Sequence, residues 1–163
     1  GLKAGGVLAD AFSERWNAPD LLETLVDNGR KGKKNGKGLY IYDDDGENTG
    51  EVDKSVYDLL NQSQQRTEIA PEIIKRRCWL SMLNECAYCL EEGIAEKPRD
   101  IDIGVIFGLG FPPFKGGALR YADNIGLQTV AYQLKQLADE YGDRLQPADI
   151  IVDRAEKGET FYQ

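Results

Sequence analysis

Three kinds of side chain in this 163-residue chain could do chemistry: clustered thiols, grouped carboxylates and a run of cations. The thiols are Cys78, Cys86 and Cys89, and Cys86-Ala-Tyr-Cys89 has C-x-x-C form. A redox pair needs a lowered thiol pKa at a helix start, and a zinc site needs two more ligands. These cysteines fall mid-helix, no second pair exists, and histidine is absent. They read as small apolar core residues. Asp43-Asp44-Asp45-Gly46-Glu47 has the composition of a calcium loop. Setting Gly46 at the sixth loop position puts Ile41 first and Val52 twelfth, where carboxylates are required. That arrangement fails, which leaves a polar turn.

The cations are Arg30, Lys31, Lys33, Lys34 and Lys37, in the loop R-K-G-K-K-N-G-K-G. Its glycines could present backbone N–H groups to a phosphate, but the strand–G-x-x-x-x-G-K-[ST]–helix frame of a P-loop is missing. A solvated loop is the plainer reading, and contact with an anionic ligand or partner is the other. Glu85, Glu91 and Glu92 could suggest acid–base work, yet nothing marks an opposing partner, so a solvated face or local ion pairs fit better. Without histidine the chain also lacks the commonest general base and metal ligand. On residue chemistry alone there is no catalytic constellation.

Composition narrows the class. A net charge of −8 argues against a nucleic-acid binder, which needs a basic face to neutralise phosphates. No apolar run approaches the ~18 residues of a membrane span. Three clustered cysteines do not resemble a secreted disulfide framework, so a reducing compartment is expected. The chain opens on Gly1 and its one methionine is Met82, so it reads as a piece of something longer.

The elements that must position these residues are nearly all helical. Periodicity predicts a helix over 1–16 (Val7, Leu8, Ala11, Phe12, Trp16). A second starts near Pro19, with Leu21, Leu22, Leu25 and Val26 inward, and Gly29 closes it. Leu39–Tyr42 is a short extended piece, and 51–62 is expected to be helical. Polar residues 61–68 form the best boundary. The longest helix runs from Pro71 to Glu92, with Ile74, Cys78, Met82, Cys86 and Cys89 on one stripe. Pro98 opens another through Phe107, and further helices cover 117–124, 127–141 and 147–156 before an extended tail. The predicted fold class is all-α, with no set of strands for a nucleotide-binding parallel sheet.

Between two of those helices lies G-L-G-F-P-P-F-K-G-G-A-L-R-Y-A-D, Gly108–Asp123. Prolines fix φ and glycines open conformations other residues avoid, so this is a shaped elbow. Phe111 and Phe114 are expected to plug a core. Comparing the chain with itself lays Gly1-Leu2 on Gly126-Leu127, Asp20-Leu21-Leu22 on Asp149-Ile150-Ile151, Gly29 on Gly158, and Leu39-Tyr40 on Phe161-Tyr162. On that reading residues 67–163 are one whole helical unit. Residues 1–66 are the back half of another plus a linker helix, and the half unit leaves apolar faces to be covered.

Glu72–Arg77, Leu83-Asn84-Glu85-Cys86-Ala87, Cys89–Ile94 and Gly108–Phe114 with Gly116-Gly117 resemble the C-terminal end of the fatty-acid oxidation alpha-subunit family. Asn35-Gly36-Lys37-Gly38-Leu39-Tyr40 is similar to the piece that closes the first C-terminal dehydrogenase unit there. The resemblance implies tandem 3-hydroxyacyl-CoA dehydrogenase C-terminal-type units, the first truncated. It implies a longer enzyme that hydrates enoyl-CoA and oxidises 3-hydroxyacyl-CoA with NAD, in fatty-acid β-oxidation. The NAD fold and the catalytic residues would lie upstream of Gly1, so this segment is expected to be inactive by itself, with no cofactor or metal of its own. Its role would be to shape the substrate cleft and an internal pseudo-dimer interface. Phe107 stands where family members can carry a substrate-contacting tyrosine; the ring remains, the hydroxyl does not, which leaves apolar contact with an acyl chain, with packing in the core as the other reading. Acyl-CoA and a thiolase (beta) subunit are the implied partners, and self-association through exposed apolar faces is a further expectation. The implied location is bacterial cytoplasm, with the mitochondrial matrix as alternative. The rival reading is a non-catalytic helical module that docks thiolase.

Overall fold

A computed structural model describes residues 2–13, 20–62 and 68–162. Contacts divide the chain into two compact units, Gly1–Glu68 and Ile69–Gln163, and each is taken by itself.

In the first unit, α1 (Leu2–Ala11) is shorter than its periodicity predicts, and none of its residues is buried. Trp16 and Pro19 lie outside the described residues. Helix α2 (Leu21–Asp27) buries Leu25, and Gly29 takes φ +73° just beyond it. There the Gly29 N–H donates to Val26 O and the Arg30 N–H to Leu25 O, so two orphan carbonyls of the last turn are satisfied.

The basic loop then leads into a hairpin, β1 (Tyr40–Tyr42) against β2 (Asn48–Val52), antiparallel with Tyr40 opposite Val52 and Tyr42 opposite Asn48. This corrects the helix expected over 51–62. Residues 48–52 pair with β1, and the helix that follows, α3 (Ser55–Leu59), has a single buried residue, Val56. Apolar spacing at 52, 56, 59 and 60 mimicked a helical face, but Asp43 decides the local fold. Its Oδ1 accepts the N–H groups of Asp45 and Glu47, which turns the chain back on itself.

The second unit is helical throughout: α4 (Pro71–Glu91), α5 (Pro98–Leu109), α6 (Ala118–Ile125), α7 (Leu127–Tyr141) and α8 (Asp149–Lys157). Val130, Leu134 and Leu137 of α7 meet Leu80 and Leu83 of α4, Leu119 of α6 and Ile151 of α8 in one core. The stripe expected on α4 is corrected in its first half. Ile74 and Cys78 are exposed, and burial begins at Leu80. The elbow is corrected too. Phe111 is half-buried against the core, but Phe114 is 84% exposed. Phe114 sits within the 3-10 turn Pro113–Lys115, which presents its ring outward.

None of the helices in this unit is capped by the side chain at its own N-cap, and two of them, α6 and α8, are capped from elsewhere. Their orphan N–H groups find acceptors on other helices. Asn84, buried on α4, accepts the Ala148 N–H at 2.9 Å and donates to Gln146 O at 2.7 Å. Glu91 of α4 accepts the Ile150 N–H at 2.9 Å. Together they close the start of α8, and Asp102 of α5 does the same for α6.

Candidate functional site

The elbow is the best-defined polar centre in the described residues, and Asp102 is its hub. Buried on α5, this carboxylate accepts the Leu119 N–H at 2.8 Å and the Arg120 N–H at 3.1 Å, both in the first turn of α6. A helix N-terminus attracts negative charge, so the carboxylate both caps the helix and complements its dipole. It also accepts the Tyr162 hydroxyl at 2.5 Å. Burial first, then this carboxylate beside the phenol, push the Tyr162 pKa well above the usual tyrosine value. The Arg120 guanidinium lies 3.6 Å from the centroid of the same ring.

The close approach of α5 to the elbow requires glycine at 117. A Cβ there would lie 2.2 Å from Asp102 Cβ, and φ is +110°. Asp123, one turn on in α6, accepts the Phe161 and Tyr162 N–H groups at 2.8 and 2.9 Å. Two carboxylates thus hold the chain's tail against the elbow. Spacing alone did not reveal this, since its members stand up to 60 residues apart. The Gly116-Gly117 pair was the one local signal.

Phe107 stands on α5 on the turn before the elbow, 86% exposed, between Gly104 and Gly108, at which an added Cβ would meet open space. It is therefore not a core residue of this unit. Leu109 and Phe114 are exposed beside it in sequence, so the elbow presents apolar surface while its polar groups are engaged inward.

The other candidates are not assembled into sites. Burial, with smaller contributions from neighbouring Cys89, Asp102 and Glu85, raises the Cys86 pKa to about 12, the opposite of what a reactive thiol needs. No group of three or more metal-ligating side chains is gathered among the described residues. Arg30 is taken up within its own unit: it donates to Gly38 O at 2.7 Å, to Asp53 at 2.8 Å and to Ser55 Oγ. Lys33 pairs with Glu47, which leaves Lys31, Lys34 and Lys37 exposed on the loop. Glu91 caps α8. No described helix is long and apolar enough to cross a membrane.

A dinucleotide is held where a parallel strand turns through glycines into a helix N-terminus. The described residues do not fit that group. Their one sheet is an antiparallel hairpin, and the starts of α6 and α8 already carry Asp102, Asn84 and Glu91.

The fold and the elbow define a helical C-terminal-type module. Residues 74–161 match the family model described as "3-hydroxyacyl-CoA dehydrogenase, C-terminal domain", and the chain belongs to that family. It is 48% identical over 161 residues to the fatty acid oxidation complex subunit alpha of Idiomarina loihiensis, covering 99% of this chain and 22% of that protein. The subunit of the same name from Vibrio parahaemolyticus is 44% identical over 162 residues, again covering 99% and 22%. That from Shewanella loihica is 44% identical over 163 residues, covering 100% and 23%. The chain thus spans under a quarter of the length of these curated relatives.

Proposed function

We propose that this chain is the helical wall and brace of an NAD-dependent 3-hydroxyacyl-CoA dehydrogenase acting in fatty-acid β-oxidation. The longer protein would also hydrate enoyl-CoA. The observation that carries the reading is the elbow: a rigid, internally capped turn that holds Phe107 and its apolar neighbours outward. Holding a substrate in a reactive geometry is a large part of catalysis, and walls that carry no reacting group supply it. Phe107 contacts the acyl chain through its ring. NAD and the proton-transfer groups belong to segments outside these 163 residues, in a bacterial cytoplasmic enzyme.

The second part of the proposal concerns organisation. Residues 67–163 are a complete unit, and 1–66 the back half of another with a linker helix. The helix ends at Gly29 and Gly158 support the pairing. Gly158 takes φ +67°, its N–H donates to Ala155 O, and the Glu159 N–H donates to Arg154 O, the spacing found at Gly29 and Arg30. Residues paired by that register differ in burial, with Leu22 53% exposed and Ile151 fully buried. A unit lacking its front helices leaves such a side chain open. In the longer protein the two units stand as an internal pseudo-dimer.

Calorimetric titration of the isolated chain with NAD and acetoacetyl-CoA tests the proposal. No turnover and no tight NAD binding are expected. Turnover by these residues alone would overturn it. The exposed Phe107, Leu109 and Phe114 also favour a second reading, a module that docks a thiolase subunit. Tight binding of thiolase by the isolated chain, abolished by Phe114→Ser, would select that reading.

A further inference from the structure

Apart from the surface around Phe107, α4, α6 and α7 leave between them a cleft of about 380 Å³, lined by Glu72, Lys75, Arg76, Trp79, Tyr121, Ile125 and Gln133. That volume is in the range of small-molecule sites. Trp79 and Tyr121 meet edge to face there, ring centroids 5.4 Å apart. Lys115 places its ammonium 4.2 Å from the Tyr121 centroid.

One donor of this lining is buried without a partner. Arg76 Nε is shielded from solvent and meets no acceptor. The Gln133 amide, the Trp79 indole N–H and the Tyr121 hydroxyl belong to half-buried side chains of the same lining. Buried donors are ordinarily satisfied, and leaving one without a partner costs about 1–3 kcal/mol. Glu72, the one carboxylate of the lining, is engaged by Lys75 at 2.8 Å. The lining therefore combines a solvent-shielded, unpartnered guanidinium nitrogen with an aromatic wall, in a protein whose net charge is −8.

We infer that this cleft is a binding site for a small organic anion, a phosphate or carboxylate on a molecule that also bears a planar ring. Arg76 and Gln133 take the anionic head, because a guanidinium matches a two-oxygen acceptor and an amide adds a directed donor. Trp79 and Tyr121 take the ring, and Ile125 packs its edge. The inference stands apart from the dehydrogenase reading, since the cleft shares no residue with the elbow surface around Phe107.

Trp79 makes the test direct. In the full chain carrying Trp16→Phe, Trp79 is the one remaining indole. Titration with adenosine 5′-monophosphate should quench its fluorescence saturably, with adenosine and inorganic phosphate each binding more weakly. Arg76→Gln should weaken the nucleotide about tenfold or more while leaving adenosine unchanged, the loss expected for one charge-assisted contact. Gln133→Ala, at a half-buried position of α7, should weaken it by a smaller factor with the melting temperature little changed. Absence of saturable quenching at millimolar nucleotide, or equal affinity in Arg76→Gln, would overturn the inference. So would quenching by an acidic, tyrosine-containing peptide where the nucleotide gives none, which would assign the cleft to protein docking.

Discussion

Asp102 brings together three donors from two distant parts of the chain, and its neighbour on the elbow, Gly117, is glycine because that carboxylate stands where a Cβ would be. Removing the carboxylate strands two backbone N–H groups and a phenol in a partly buried place. Asp102→Ala should lower the unfolding free energy of this unit by about 3 kcal/mol, read by urea denaturation. Phe107→Ala should change it by less than about 0.5 kcal/mol, since an exposed ring has little to lose. A large loss there would mean that the ring packs in the core. The thiols separate in the same way. At pH 8 a maleimide should label exposed Cys78 in the folded protein. Cys86, buried and with its pKa pushed to about 12, should stay silent until denaturant is added.

Among the elements, the hairpin carries the clearest titration. Asp53 has a pKa lowered from 3.8 to about 2, by hydrogen bonds from Ser55 and then Arg30. A carboxylate lowered in the folded state stabilises it fully above its unfolded pKa and loses that contribution as pH falls through the folded one. The Arg30–Asp53 link should therefore hold the hairpin above about pH 4 and fade between there and about pH 2. Asp53→Asn should flatten that part of the acid unfolding curve, followed by amide NMR of β1 and β2; an unchanged curve would count against the link. The bond is half-exposed, so the effect is modest.

This hairpin is also where sequence reading reached its limit. Helices α4 to α8 were legible because proline starts, glycine stops and a 3.6-residue apolar period agree with one another. In β2, Asn-Thr-Gly-Glu-Val carries no strand-like alternation, and its pairing is set by a turn and by β1. The capping of α6 and α8 was illegible for a related reason. A local motif would have put Ser, Thr or Asp next to each helix start, whereas the acceptors come from α5 and α4. At the elbow the unusual string was visible, but which of its rings turned inward was not, because Phe114 belongs to a 3-10 turn and Phe111 precedes it.

At the scale of the whole chain, the two units differ sharply in core. The contiguous apolar cluster lies entirely within the second, from Trp79 to Tyr162. Among described residues of the first, Leu25 and Val56 are the buried apolar side chains. Stability scales with apolar area removed from water, so the units should not melt together. Calorimetry of the full chain should show two transitions, the lower one lost when residues 1–68 are deleted and the upper one retained. A single cooperative peak would instead make the first unit dependent on the second. Shared capping also bears on engineering. Anyone transplanting α8 into another scaffold must bring Asn84 and Glu91 along, and α6 is portable only in the company of α5, so the smallest exchangeable part of this module is a pair of helices.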